Sequence, residues 1–171
     1  MSAASIPQNE DKRLAALHAL LGANGIDEKP VARYTRIARS LAGTPVAALS
    51  LVDSDRQLFR GCAGEWLRET SRTVSFCAHA LLEPEHLYVP DARLDPRFAN
   101  NPVVTGDPQI RFYAGFPLFV HDKLALGALC LIDFYPRVLA PDQIASLRDL
   151  ADCLQRELLL QILLREHAGA P

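Results

Sequence analysis

Two apolar segments joined by a tight polar connection constrain the fold of this chain more than any other feature. They read IRFYAGFPLFV and KLALGALCLID, and the HDK connection is short enough for a β-hairpin. Their apolar content is nearly continuous, which is typical of strands covered on both faces. Gly115 and Gly127 interrupt the segments, and a glycine within a strand indicates a bulge or a close approach to the backbone. The sequence therefore predicts a central antiparallel strand pair.

Helical patterns flank this hairpin. EDKRLAALHALLG and PVARYTRIARSLAGT carry apolar residues at helical spacing near the N-terminus, and a long leucine-rich helix from Pro141 closes the chain. Between them lie two strand patterns, PVAALSLVD and QLFRGCAG, then a short helix in SFCAHALLEP and a short strand in HLYVPDA. This order predicts an α+β sandwich. A mostly antiparallel central sheet would carry the terminal helices on one face and a pocket with a lid loop on the other.

Composition excludes several classes of protein. A length of 171 residues fits one domain, and a net charge of −2 argues against a dedicated nucleic-acid binder. No uninterrupted apolar run reaches the ~18 residues of a membrane span, so we expect no membrane insertion. The N-terminus has no basic stretch followed by an apolar core, so a cytoplasmic location is expected.

The last helix is apolar on more than one side. One stripe at spacings of three and four comprises Ile144, Leu147, Ala151, Leu154, Leu158 and Ile162. Further leucines, at 150, 160, 163 and 164, widen the apolar surface beyond one contact face. This pattern predicts a homodimer through the N- and C-terminal helices. The alternative is a helix that is simply buried in its own core.

The common catalytic motifs are missing from the sequence. It contains no P-loop, no GxGxxG fingerprint, no HExxH, no EF-hand loop and no GxSxG elbow. Cys77 and His79 lie two residues apart in FCAHA, a spacing at which they would not readily hydrogen-bond each other. As metal ligands they would need further donors such as His121 or Asp91. The simpler prediction is that Cys77 packs in the core while His79 caps or lines a cavity.

A polar loop, DPRFANNPVVTGDPQ, leads into the strand that carries Arg111 and Tyr113 on one face. Two interpretations of Arg111 stay open. It pairs with Asp91, Asp95 or Asp133 and ties the loop to the sheet, or it binds an anionic ligand on which Tyr113 stacks. Either way, the loop is predicted to be the lid of a small-molecule pocket.

Four blocks in order resemble the GAF domain, in the bacterial sensor subgroup often found ahead of histidine kinase or diguanylate cyclase domains. They are VSFCAHALL, VPDARLDPRFANNPVVTGDPQIRFYAGFPL, LGALCLIDFYPRVL and DQIASLRDLAD. The resemblance implies a single GAF domain over residues 12–165, with flexible ends at 1–11 and 166–171. It also implies a pocket between the sheet and the segments 75–82 and 91–106.

The resemblance implies a non-enzymatic sensory module that binds a small molecule and signals through a helical dimer. Expected ligand-binding residues are Ser75, Cys77, His79, Asp91, Arg111, Tyr113 and Asp133. The cofactor is unknown, because neither a tetrapyrrole-attaching cysteine pattern nor a cyclic-nucleotide pattern is clear. No output domain is seen, so the signal would pass to a separate partner such as a kinase or cyclase, unless the chain is a piece of a longer protein.

Two alternatives remain. One branch of the family reduces free methionine sulfoxide with cysteines that converge on the pocket, which requires a reactive cysteine and a resolving one within reach. Here Cys130 and Cys153 are expected to lie far from the lid, which disfavours that chemistry. The other alternative is a dimerisation module whose pocket is vestigial.

Overall fold

The fold is an α+β sandwich, as the sequence predicts. The computed structural model describes residues 3–22 and 24–168. The strands are β1 Val46–Val52, β2 Arg56–Ala63, β3 Glu69–Ser71, β4 Leu87–Val89, β5 Phe112–Val120 and β6 Leu124–Asp133. The helices are α1 Glu10–Leu21, α2 Glu28–Ala42, α3 Phe76–Ala80, α4 Pro102–Thr105 and α5 Pro141–Ala168. Residues 1–2 and 169–171 of the termini predicted to be flexible lie outside the described residues.

The six strands form one sheet in the order β3-β2-β1-β6-β5-β4. Every neighbouring pair is antiparallel, and the predicted hairpin is the pairing of β5 with β6. Strand β3 was not predicted, because three polar residues at a sheet edge carry no apolar alternation. The central position of β1 and β6 explains why their apolar runs are nearly continuous.

The two faces of the sheet carry separate apolar cores. Helices α1, α2 and α5 pack on one face, where alternate β5 residues from Phe112 to Val120 point toward them. Helix α3, helix α4 and the loop between β4 and β5 cover the other face, which we call the lid face. Within the loop, the segment DPRFANN forms a run of turns, and the short helix begins later, at Pro102. Asn101 caps it by accepting a hydrogen bond from the Val103 amide, 3.1 Å away.

Helix α1 begins at Glu10, inside the segment 1–11 for which flexibility was predicted. The physical reason is a buried charge cluster. Glu10 accepts hydrogen bonds from Arg13 at 2.8 Å and from Arg72 at 2.5 Å, and Arg13 also donates to the Val52 carbonyl at 2.7 Å. Burial opposes ionisation of Glu10, but the two arginines outweigh it and lower its pKa from 4.5 to about 2. The cluster fastens α1 to the sheet.

Helix α5 buries its inner stripe from Leu147 to Ile162 against the domain. Three leucines on its outer side stay half-exposed, at 50, 45 and 61 % for Leu160, Leu163 and Leu164. The inner stripe packs in the core of the domain, whereas the outer leucines are not needed for that packing. In the part of the chain that the structure describes, no helix is long and apolar enough to cross a membrane.

Candidate functional site

A small cavity lies on the lid face, between the sheet, α3 and α4. Its volume is about 30 Å³, room for one or two water-sized molecules. Apolar and aromatic side chains form most of the wall, and the polar lining residues are Gln57, Thr70, Ser75, Cys77 and Tyr113. Phe76 stacks on Phe98 at 4.0 Å between ring centroids and lies 5.1 Å from the ring of Tyr113. These rings occupy the space in which the sequence predicted a larger ligand.

Cys77 is the centre of a buried polar cluster beside this cavity. Its sulfur accepts hydrogen bonds from Tyr113 Oη at 3.0 Å and from Gln57 Nε2 at 3.2 Å. Cys130 lies in the same apolar core on the lid face. Burial opposes ionisation of Cys77, but the surrounding donors, Cys130 first, outweigh burial and lower its pKa. The arrangement therefore favours a thiolate at Cys77.

The partners of Cys77 respond in the opposite direction. The hydrogen bond to Cys77, followed by burial, raises the pKa of the Cys130 thiol. Burial, followed by the charge of Cys77, raises the pKa of Tyr113. Both groups therefore keep their protons and serve as donors, while Cys77 is the acceptor. Cys77 is therefore the group of this cluster that ionises first.

Local backbone features place these groups. Ser75 caps α3 by accepting a hydrogen bond from the Ala78 amide at 3.0 Å, which sets Cys77 in the first turn. The ring of Tyr113 lies along β5 over Gly115, where a Cβ atom would come within 2.7 Å of Tyr113 Cζ. Gly115 faces Cys130 across the strand pair. The predicted close approach at Gly115 is confirmed, and what approaches is the phenol that binds Cys77.

Two buried polar atoms of cavity-lining side chains have no hydrogen-bond partner among the described residues. They are Gln57 Oε1 and Trp66 Nε1. Gln57 is 3 % exposed, so its amide oxygen is isolated from bulk solvent. Leaving such an atom unpaired costs about 1–3 kcal/mol, and native structures usually satisfy it with water or a ligand. Gln57 and Trp66 both line the cavity.

Arg111 fastens the lid through backbone carbonyls. Its Nη1 donates to the Val104 carbonyl at 2.8 Å and to the Ile110 carbonyl at 3.2 Å. Among the described residues it forms no ion pair with the carboxylates that the sequence offered as partners. Each of those acids has a nearer arginine in the chain, in the pairs Asp91–Arg93, Asp95–Arg97 and Asp133–Arg137. Arg111 therefore ties the loop to the sheet, but by a different contact from the one predicted.

The remaining predicted site residues lie outside the cavity. Asp91 lines an outer groove at the loop edge, and Asp133 is buried behind Arg137, where it also accepts from the Tyr135 amide at 3.1 Å. His79 meets the ring of Phe98 edge-on at 4.8 Å and does not line the cavity. The structure thus brings together Ser75, Cys77 and Tyr113.

Sequence reasoning missed Gln57, Ser50 and Trp66, and it placed Cys130 wrongly. Cys130 was expected far from the lid, whereas strand alternation in β6 turns it to the lid face beside Cys77. One signal was available. Ser50 and Gln57 are polar residues inside otherwise apolar strands, and a buried polar residue in a central strand indicates a partner or a site. Cys153 is exposed on α5, away from the cluster.

Comparison with known proteins identifies the family. The family model for the GAF domain matches residues 28–158. This chain belongs to the GAF domain family. It is 42 % identical over 156 residues to a cyclic di-GMP phosphodiesterase of Pseudomonas aeruginosa, an alignment that covers 88 % of this chain and 26 % of that protein. The chain therefore spans about a quarter of the length of this relative.

Solved structures share the fold at low sequence identity. A free methionine-R-sulfoxide reductase from Neisseria meningitidis has a TM-score of 0.64 at 17 % identity, over 94 % of this chain and 98 % of that one. The GAF domain from an Acinetobacter phosphoenolpyruvate-protein phosphotransferase has a TM-score of 0.63 at 14 % identity, over 96 % and 98 %. The fold is therefore the GAF fold, and these two likenesses carry no more than that.

Proposed function

We propose that this GAF domain is a non-catalytic sensory domain whose input site is the cavity beneath residues 91–110. The observation that carries the proposal is the set of unpaired buried atoms at the cavity, chiefly Gln57 Oε1 and Trp66 Nε1. Each of these atoms costs free energy unless a molecule in the cavity pairs with it, because an apolar pair of the same size would avoid the desolvation cost. A small molecule with donors and acceptors would satisfy them.

The output of the domain is proposed to pass through the terminal helices. Strand β5 connects the two sides, because Tyr113 contacts the cavity while its neighbours Phe112 and Ala114 pack against the terminal-helix core. The surplus leucines 160, 163 and 164 on α5 give a second subunit an apolar surface to cover. A movement of Tyr113 would then reach the dimer contact through one strand.

The relative from Pseudomonas aeruginosa suggests the kind of partner. That protein is a cyclic di-GMP phosphodiesterase, and this chain matches only a quarter of it. We propose that the partner of this domain is likewise an enzyme of cyclic-dinucleotide turnover, on the same or another chain. The alternative partner is a histidine kinase.

Trp66 gives a direct test, because it is the single tryptophan of the chain and it lines the cavity. We expect a polar molecule of one or two heavy atoms, from a panel of such molecules, to change Trp66 emission in a saturable way. Gln57→Leu removes the unpaired acceptor and should weaken the response about tenfold, the equivalent of one hydrogen bond. The exposed Gln8→Leu is the matched control. Equal responses in all three proteins would contradict the proposal.

A second candidate is a thiol-dependent reductase. The observation in its favour is the contact between Cys77 and Cys130, a low-pKa cysteine beside a second thiol. Against it stands the cavity of about 30 Å³, because a free amino acid needs several times that volume. A thiol-coupled assay with methionine sulfoxide decides between them, and we expect no turnover.

A further inference from the structure

A buried pair of thiols lies beside the cavity. Cys77 and Cys130 are both free, are 1 % and 0 % exposed, and belong to the same apolar core on the lid face. They come from different elements, since Cys77 stands in α3 and Cys130 in the middle of β6. Formation of a bond between them would join the lid-side helix to the central sheet.

The pair is chemically asymmetric. Tyr113 and Gln57 both donate to the sulfur of Cys77, and donors stabilise a thiolate far more than a thiol. Cys130 retains its proton, with a raised pKa. This is the division of labour that thiol oxidation requires, with an ionised sulfur that attacks and a second thiol that resolves the product.

The cavity sets the size and polarity of the reagent. About 30 Å³ accommodates a molecule of one or two heavy atoms. The unpaired Gln57 Oε1 can accept a hydrogen bond and Trp66 Nε1 can donate one, so a small molecule with both capacities would suit the cavity that they line. The cavity also borders the half-exposed side chains of Thr70, Val74 and Val103, which lie between it and the surface.

We propose that the cavity admits a small hydroperoxide, with hydrogen peroxide as the reagent that fits it, and that Cys77 and Cys130 are the residues it oxidises. The thiolate of Cys77 attacks one peroxide oxygen, the O–O bond breaks, and water leaves after the second oxygen takes a proton. Cys77 is then a sulfenic acid. Attack by the Cys130 sulfur forms the disulfide and releases a second water, so two thiols are oxidised and one peroxide is reduced to two waters.

This inference rests on the proposed function, because it names the input of the same cavity. Oxidation at Cys77 would remove the acceptor of the Tyr113 hydroxyl, and β5 carries that change toward the terminal helices.

The test is site-resolved oxidation of the full chain. Reduced protein, freed of reductant, is treated with equimolar hydrogen peroxide, then denatured, alkylated and analysed by peptide mass spectrometry. The exposed Cys153 in the same molecule is the internal reference. We expect Cys77 to be oxidised at least about tenfold faster than Cys153, with a linked Cys77–Cys130 peptide pair as the product.

In the variant Cys130→Ser, the resolving thiol is missing, so dimedone should capture the sulfenic acid on Cys77. Cys130→Ala replaces that variant if it does not fold.

The variant Tyr113→Phe tests whether the hydrogen bond from the phenol, and not burial alone, determines the reactivity of Cys77. Loss of the phenol donor should shift the pH profile of Cys77 oxidation to higher pH, while the profile of Cys153 stays unchanged. Oxidation of Cys77 no faster than Cys153 would overturn the peroxide proposal. A Trp66 response to another small molecule in the same preparation would then still support the sensory function, and its absence would remove both.

Discussion

Gly127→Ala is expected to lower the free energy of unfolding by about 3 kcal/mol or more. A Cβ atom at position 127 would lie 2.7 Å from the Ser50 carbonyl carbon and 2.9 Å from Leu51 Cα. Both atoms belong to the backbone of β1, which is central in the sheet and has no room to retreat. Urea denaturation followed by circular dichroism measures the change.

Gly115→Ala is the matched control for this prediction. The same methyl group at position 115 meets the ring of Tyr113 rather than a backbone, at 2.7 Å from Cζ and 2.8 Å from Cε1. The ring can tilt, so the loss of stability should be smaller, while the hydrogen bond from Tyr113 to Cys77 is disturbed. Equal stability losses for the two variants, or a loss below about 1 kcal/mol for Gly127→Ala, would contradict this reasoning.

Glu10→Gln is expected to destabilise the domain by about 3 kcal/mol, because it leaves two arginines without their carboxylate. Arg13 is 1 % exposed and has no route to solvent, so its charge stays buried and uncompensated. The exposed Glu65→Gln should change stability by less than about 0.5 kcal/mol. A similar effect for both substitutions would show that the cluster does not hold α1 in place.

The same cluster predicts the acid sensitivity of the fold. The pKa of Glu10 falls from 4.5 to about 2 on folding, so its contribution to stability is fully present above about pH 4.5. That contribution is lost as the pH falls toward 2, because the carboxyl group takes up a proton in the folded state. Unfolding measured between pH 5 and pH 2 should show a flatter dependence in Glu10→Gln than in the unaltered chain.

Local periodicity determines the strands, the helices and the face that each of them buries, so these features could be predicted. Alternation in β5 and β6 and helical spacing in α5 each report the face that is buried. The short edge strand β3 was missed, because Glu69–Ser71 has no apolar pattern. The helix in EDKRLAALHALLG was predicted, but the contact of Glu10 with Arg72, which is far away in sequence but close in space, was not.

The site was only partly predictable for the same reason. Ser75, Cys77 and Tyr113 could be proposed from the blocks that resemble the family. Gln57, Trp66 and Cys130 join them only through the pairing of strands and the packing of the loop after β2. For Arg111, the residue type was informative but its partner was not, because an arginine is satisfied equally well by carbonyls and by carboxylates.

Native mass spectrometry of the protein purified without reductant tests the central claim, that the cavity beneath residues 91–110 is the input site. We expect a dimer that carries either a releasable small molecule or a covalent change at Cys77, such as the loss of two hydrogens in a disulfide. Gln57→Leu should lose the former, and Cys77→Ser the latter. A chain of unmodified mass with no bound molecule, and with Trp66 emission unchanged by polar molecules of one or two heavy atoms, peroxide included, would contradict it.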